Sequence, residues 1–432
     1  MRTVSYTQDI KLEPYWWEAI PRQALPEVSL PKQTDVAIVG GGYAGLSAAL
    51  TLVRAGRSVI VLEAGAINTG ASTRNGGQAN GQIKISFSKL IGRVGLARAM
   101  RIYTEGRNAL DHLVALIEAE GINCEFAPVG RFLAARTKRD YAELEREAHL
   151  IHKHLGIESE LVSRSKQHRE IGSDLYHGGL VRRDMAGLHP ALFHKGLLDT
   201  VVVAGALVAE EIPVTGIQSE TGYYIVSTKH GILRTRDVIV ATNGYTGRLT
   251  PALRRRIIPI RSQMIATEPL APGMMDQLIP KRRMVVDTCR MHHYYRPSPD
   301  GTRLLFGGRA GAHETDPRRS GAHLYHNMIK IFPQLQGIRI THTWSGLTGW
   351  TFDYLPHLGV YDGIYYVLGF CGSGVPFAPY LGHKLALRLL GSPEARTAFA
   401  DQPLQTRPLY YGRPWFLPPV LVYYRLLDWA GI

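Results

Sequence analysis

Val36-Ala37-Ile38-Val39-Gly40-Gly41-Gly42-Tyr43-Ala44-Gly45-Leu46, with Ser58-Val59-Ile60-Val61-Leu62-Glu63 a dozen or so residues on, sets the architecture of this chain. The first four residues are a short apolar run, as expected for a strand buried on both faces. From Tyr43 to Arg54 the residues Leu46, Ala49, Leu50 and Val53 recur at helical spacing, and Gly56 supplies the stop. Residues 58–62 form a second buried strand that ends at Glu63. Strand, glycine turn, helix and strand in this order make a βαβ unit. Gly40-x-Gly42-x-x-Gly45 is a weak signal alone, but here it follows a strand, opens a helix and precedes an acidic residue at the next strand's end. Gly40 permits the tight turn, Gly42 lets backbone approach a pyrophosphate, and Gly45 lets helix and strand pack closely. The helix N-terminus attracts phosphate charge, and Glu63 is placed to accept hydrogen bonds from ribose hydroxyls. A glycine turn without a ligand would not need all of this context.

Outward from this unit the chain divides into segments. An N-terminal arm, 1–32, carries Pro14, Pro21, Pro26 and Pro31, a spacing that reads as extended. Residues 33–86 are the first part of the nucleotide domain, and 87–155 are mainly helical and open a substrate domain. Residues 156–253 return to the nucleotide domain, with strand character at 212–217 and at Val238-Ile239-Val240-Ala241. Alternating apolar and polar residues in 254–341 predict an antiparallel sheet, the second part of the substrate domain. Residues 342–395 close the nucleotide domain with the strand 364–368 and a helix from about Pro376 to Leu390, and 396–432 form an aromatic tail. The expected fold is therefore α/β, with a discontinuous Rossmann-like domain and an inserted antiparallel-sheet domain.

Composition sets the outer bounds. At roughly 150 residues per domain, 432 residues suit two or three folded units, and 45% hydrophobic content excludes a disordered chain. Cys124, Cys289 and Cys371 form no C-x-x-C pair, which argues against a thiolate zinc site or disulfide framework and for a reducing cytoplasm. The first ten residues hold no apolar run of the signal-peptide kind, and no stretch reaches the ~18 apolar residues of a membrane span. Fifty basic against 36 acidic residues give +14, but the basic clusters at 254–256, 281–283 and 318–319 are short and lack a nucleic-acid module. No metal site is expected: His149, His152 and His154 read as solvated helix residues, and His313-Glu314-Thr315-Asp316 lacks a second histidine.

Three further stretches carry a resemblance. Gly70-Ala71-Ser72-Thr73-Arg74-Asn75-Gly76-Gly77 follows Glu63, Asp237 to Tyr245 is a buried strand running into a small-residue turn, and Gly369-Phe370-Cys371-Gly372-Ser373-Gly374-Val375 lies between a strand and the last long helix. Together with the glycine turn they resemble the D-amino acid oxidase (DAO) family of FAD-dependent oxidoreductases, over about Tyr15 to Gly391. The resemblance implies bound FAD contacted by Gly40, Gly42, Tyr43, Ala44, Gly45, Glu63 and Ala64. It further implies contacts from Ser72, Thr73, Arg74, Asn75, Gly76, Val214, Ala241, Thr242, Gly372, Ser373, Gly374 and Val375. Ser373 stands where the family's histidine is usual, and Thr348 stands where amino-acid oxidases of the family often carry a carboxylate-clamping arginine. The flavin-tethering cysteine of the sarcosine-oxidase branch has no counterpart, which implies non-covalent FAD.

Within the family the chain resembles the γ-glutamylputrescine oxidoreductases and similar amine oxidases, on residues such as Tyr294-Tyr295-Arg296-Pro297 and Trp344-Ser345-Gly346-Leu347-Thr348-Gly349-Trp350. The implied reaction is oxidation of an amine or amino acid by hydride transfer to flavin N5, giving an imine that hydrolyses, with a γ-glutamylputrescine-like amine favoured. The alternatives are an oxidase or dehydrogenase of a cyclic imino acid such as pipecolate or proline, and an FAD-containing binding or assembly protein. Tyr294, Tyr295, Arg296 and Trp350 are the candidates for the substrate pocket, against the commoner role of such residues in packing. Arg296 and Arg309 are candidates to read a remote carboxylate, against surface ion pairing. The terminal acceptor, oxygen or quinone, stays open, since Leu305 or Phe306 stands where some sarcosine-type oxidases place a lysine. No nucleic-acid partner is expected. The tail, with Tyr410, Tyr411, Trp415, Phe416, Tyr423 and Tyr424, is read as folded back or packed on another subunit, with a peripheral membrane contact as the lesser alternative, because its prolines would break a long amphipathic face.

Overall fold

The computed structural model describes residues 4–20, 25–26, 28–309 and 316–430; the readings that fell on residues 1–3, Pro21, 313–315 and 431–432 lie outside this range. Five parallel strands make its nucleotide-binding core, in the spatial order Leu207–Ala209, Val59–Leu62, Gln33–Val39, Gly231–Val240 and Ile364–Leu368. The apolar runs read from the sequence lie at its centre, with Val36, Ile38, Ile60 and Val61 fully buried. The helix Tyr43–Arg54 lies against this sheet and buries Leu46, Ala49 and Leu50. Burial of a leucine of this kind contributes ~1.5–3 kcal/mol. The helix Gly374–Leu389 packs on the same side, and the Ser47 hydroxyl donates to the Pro379 carbonyl at 2.7 Å. Antiparallel strands Val214–Glu220 and Tyr223–Thr228 extend the sheet at one edge.

Nine described strands form the second sheet, in the order Tyr6–Lys11, Ile340–Trp350, Ile258–Thr267, Leu304–Gly308, His293–Pro297, Met284–Asp287, Arg131–Ala134, Gly179–Arg182 and Glu160–Val162. Its middle is antiparallel, as expected for residues 254–341, but two pairings are parallel: Met284–Asp287 with Arg131–Ala134, and Tyr6–Lys11 with Ile340–Trp350. Hydrogen bonding redraws the expected segment boundaries. The strand Arg131–Ala134 interrupts the helical segment 87–155, whose helices are Phe87–Val94, Leu96–Ala119 and Lys138–Leu155. Glu160–Val162 and Gly179–Arg182, read as part of the nucleotide domain, belong to the second sheet, as does the strand Ile340–Trp350 that crosses the 341/342 boundary. Three- and four-residue strands have too little pattern to name their sheet; only the distant partner does so. The N-terminal arm likewise supplies an edge strand rather than a loose cover.

The tail folds back on its own chain. Leu417–Ala430 is a helix whose Leu417 and Leu421 pack with Tyr410, Ile258, Ile260, Met291 and Trp350 at the end of the second sheet, not over the nucleotide core. The Asp428 carboxylate accepts the backbone N–H groups of Arg290 and Met291 at 2.8 and 2.9 Å. Pro418 and Pro419 sit in its first turn, where a missing N–H costs nothing, so they start this helix instead of breaking it. No described helix is long and apolar enough to cross a membrane.

Candidate active site

The glycine turn opens onto a cavity of about 650 Å³ at the carboxyl ends of the parallel strands. Gly40 has φ +110° and its absent Cβ would lie 3.0 Å from the Ala241 carbonyl oxygen, so the turn tolerates no side chain there. A Cβ on Gly45 would sit 2.0 Å from the Gly40 carbonyl oxygen, which is the close helix–strand approach that the motif requires. Glu63 reaches back to the turn, and its carboxylate accepts the Gly41 N–H at 2.8 Å. Two helices, Tyr43–Arg54 and Gly374–Leu389, begin at this cavity, and neither is capped by the residue before it, although the Ser72 hydroxyl accepts the Tyr43 N–H at 3.1 Å. Their positive ends converge on one space, an arrangement suited to a ligand bearing negative charge.

Of the residues expected at FAD, Gly40, Gly42, Tyr43, Ala44, Glu63, Ala64, Ser72, Thr73, Asn75, Val214, Ala241, Thr242, Gly372, Gly374 and Val375 line this cavity. Four stand apart from its lining. Gly45 lies within the helix packing just described. Arg74 turns away to donate to the carbonyls of Thr69 and Ser345, at 2.7 and 3.1 Å. Gly76 abuts Tyr294, whose Cε2 would lie 3.0 Å from a Cβ added there. The Ser373 hydroxyl donates to the Gln82 carbonyl at 2.8 Å, because a side chain this short is captured by the nearest backbone acceptor. His194, Asn243 and Arg248 also line the cavity and were not foreseen. The His194 Nε2–H donates to the Gly41 carbonyl at 2.7 Å, and burial holds the ring neutral, its pKa lowered to about 4. Its signal, a histidine inside a buried helix far along the chain, cannot be read without the fold.

The four expected pocket residues separate. Tyr295 faces away, into the core of the second sheet, where its hydroxyl meets that of Tyr176 at 3.0 Å and its ring stacks on Phe306. Neighbouring residues of a strand point to opposite faces, so Tyr294 and Tyr295 cannot both line one pocket. Arg296 is buried and donates to the carbonyls of Gly77 and Leu188, both at 2.8 Å, so it fastens the 70–77 loop rather than facing a substrate. Tyr294 stays on the loop side, bonded to the Ser262 hydroxyl at 2.8 Å. Trp350 abuts the cavity wall: its Cζ2 would lie 3.7 Å from a Cβ on Gly372. Its indole N–H donates to the Thr348 hydroxyl at 2.9 Å, and that hydroxyl donates to the Ile260 carbonyl at 2.9 Å. Thr348 thus serves as an anchor for Trp350.

Two cations lie over the Trp350 ring. The Lys84 ammonium is 5.4 Å and the Arg309 guanidinium 4.7 Å from the centre of the Trp350 ring. Lys84 also lines a second cavity, of about 400 Å³, together with Arg131 and residues of the tail helix. Desolvation, then repulsion by Arg309 and Arg131, lowers its pKa to about 7. Asp287, Cys289 and His293 also bring ligand atoms within 4.8 Å of one another, but the Asp287 carboxylate there accepts from the His293 and Cys289 backbone and the His293 ring.

The residues fit a dinucleotide: glycine turns, two helix starts and an acidic residue at the second strand's end surround one cavity. The chain matches the family model "FAD dependent oxidoreductase" (DAO) over residues 35–388. It is 34% identical over 403 residues to the γ-glutamylputrescine oxidoreductase of Escherichia coli (strain K12), covering 92% of this chain and 93% of that one. It is 33% identical over 396 residues to the probable oxidoreductase OrdL of Haemophilus influenzae, covering 90% of each. Among solved structures it is similar to glycine oxidase from Geobacillus kaustophilus, with TM-score 0.72 and 21% identity over 88% of this chain and 99% of that one. A glycine turn whose strand, helix and acidic residue all meet one cavity, and a family match spanning both sheets, lead to one assignment: the chain belongs to the DAO family and is an FAD-dependent oxidoreductase.

Proposed function

We propose that this enzyme oxidises the C–N bond of an amine whose reacting carbon carries no carboxylate, with a γ-glutamylputrescine-like compound as the favoured substrate. The observation that carries this reading is Thr348. Where an arginine would hold a carboxylate beside the reacting amine, a hydroxyl instead fixes the Trp350 indole, leaving an aromatic wall next to Gly372. The 34% identity to the E. coli γ-glutamylputrescine oxidoreductase supports the same substrate class.

Bound FAD, held without a covalent tether since no described cysteine lines the cavity, would supply two-electron hydride acceptance. Gly42 and the start of the helix Tyr43–Arg54 would take the pyrophosphate, and Glu63 the ribose hydroxyls. Ser72 to Asn75 would run along the ring system, and the start of the helix Gly374–Leu389 would favour negative charge on it. Tyr294 and Trp350 would orient the amine and exclude water. The aromatic wall at Trp350 would disfavour an ammonium by desolvation and so lower the substrate's pKa toward the neutral form that can lose hydride. The imine product then hydrolyses in solvent.

Product analysis tests this. Incubation with γ-glutamylputrescine should release an aldehyde and ammonia in equal amounts, whereas a cyclic imino acid such as pipecolate releases no ammonia on oxidation. Turnover of pipecolate or proline in preference to γ-glutamylputrescine would replace this reading.

A further inference from the structure

Lys84 and Arg309 are two cations set over one indole ring that no described carboxylate compensates. Neither is within ion-pair distance of a carboxylate among the described residues, and neither donates a hydrogen bond to protein there. Lys84 keeps access to solvent and Arg309 is half-buried, yet two like charges held over one ring repel each other unless an anion joins them. Other groups around them deepen the positive field. Arg131 lines the second cavity beside Lys84, and its own pKa falls to about 10 by desolvation and repulsion from Arg182. His292 is held neutral, first by burial and then by Lys84 and Arg309, so it adds no charge of its own.

Of the four acids that line the second cavity, Glu143 is exposed on the helix Lys138–Leu155 and the other three are engaged elsewhere. Asp140 accepts the Thr137 N–H and the Thr288 hydroxyl, Glu147 accepts the Phe87 N–H, and Asp428 accepts the N–H groups of Arg290 and Met291. They are spent on helix starts and turns. Neither Lys84 nor Arg309 lines the 650 Å³ cavity; Trp350 stands between them and Gly372. An anion held by these two cations is therefore set back from the carbon being oxidised.

We propose that Lys84 and Arg309, both lying over the Trp350 ring, form a carboxylate clamp where Lys84 meets the second cavity, so that the preferred substrate is an amine bearing a carboxylate remote from its reacting carbon. The statement about substrate rests on the amine-oxidising reading above; the clamp itself does not. It separates a carboxylated amine from a simple diamine such as putrescine, whose second ammonium the same cations would repel.

Calorimetric titration of the FAD-loaded enzyme with hexanoate and with hexanamide, which differ in charge but hardly in shape, tests the clamp without turnover. Hexanoate should bind about tenfold tighter than hexanamide, and Lys84→Met or Arg309→Met should each remove most of that preference, while Lys84→Arg and Arg309→Lys keep part of it. The two Met variants should melt no lower than the wild type, since each removes an uncompensated charge; a lower melting temperature with the preference intact would show a packing role and overturn the clamp. Equal binding of the two ligands would also overturn it. Hexanoate preference in an enzyme whose flavin no amine reduces supports the clamp and defeats the oxidation reading. Reduction by γ-glutamylputrescine and putrescine alike, without hexanoate preference, does the reverse.

Discussion

The cofactor cavity and the cation cluster over Trp350 are built on opposite plans. The first is made of backbone: turns at Gly40, Gly42 and Gly372 and two helix starts present N–H groups with few side chains intervening. The second is made of side chains drawn from distant segments, with Lys84, Arg131, His292, Arg309 and Trp350 meeting only through the nine-stranded sheet and the loop before it. A backbone site fails when a methyl group is added, because the displaced atom is main chain. A side-chain site tolerates added bulk but fails when one charge or ring is withdrawn. The two regions should therefore answer mutation differently.

The largest effect is expected at Gly45. Gly45→Val places its Cβ 2.0 Å from the Gly40 carbonyl oxygen, and the purified variant should carry almost no flavin absorbance per protein. Gly92→Ala, in a helix where an added Cβ meets nothing within 4 Å, should keep its flavin and mark that the loss at Gly45 is local. Retention of full flavin by Gly45→Val would erase the contrast between the regions.

Next comes Trp350→Ala, which should leave flavin bound but lower the rate of flavin reduction by amine about a hundredfold, through lost positioning at the Gly372 wall. Thr348→Val, which removes the hydroxyl that anchors the indole, should lower it less, by roughly tenfold. Stopped-flow traces separate these from changes in flavin content.

The pH dependence is a smaller effect with a definite sign. A carboxylate binds the protonated Lys84 ammonium, so hexanoate affinity should be highest near about pH 6, where the ligand is ionised and Lys84 protonated, and fall as the pH rises through about 7. Arg309 and Arg131 stay charged across this range, Cys371, raised to about 11 by burial, stays neutral, and so does His292. Lys84→Arg should flatten the profile. The smallest effect belongs to Tyr295→Phe, expected to cost ~1 kcal/mol of stability for the lost bond to Tyr176 while leaving flavin reduction unchanged.

Legibility in the sequence follows the same division. Gly40, Gly42, Gly45 and Glu63 could be assigned from the chain because each answers to local geometry: a positive φ, a close approach, a strand end. The boundary of the helix Tyr43–Arg54 was legible for the same reason. Arg131–Ala134 was hidden between helices because a four-residue strand is defined by Met284–Asp287 and Gly179–Arg182, far away in sequence. Lys84 gave no signal at all, since a lone lysine after a polar loop is ordinarily solvated. The choice between Tyr294 and Tyr295 was half legible: strand alternation allows only one of them into one pocket, but which one depends on which face meets the flavin side. Pro418 and Pro419 misled, because their place at the start of a helix is visible only once the helix is.

Anaerobic mixing of the yellow, FAD-loaded enzyme with γ-glutamylputrescine, followed at the flavin's visible absorbance band, tests amine oxidation at this site most directly. The account predicts rapid bleaching that putrescine at the same concentration matches only slowly and that Trp350→Ala loses. A flavin that stays oxidised with γ-glutamylputrescine, or that bleaches equally fast in Trp350→Ala, contradicts it.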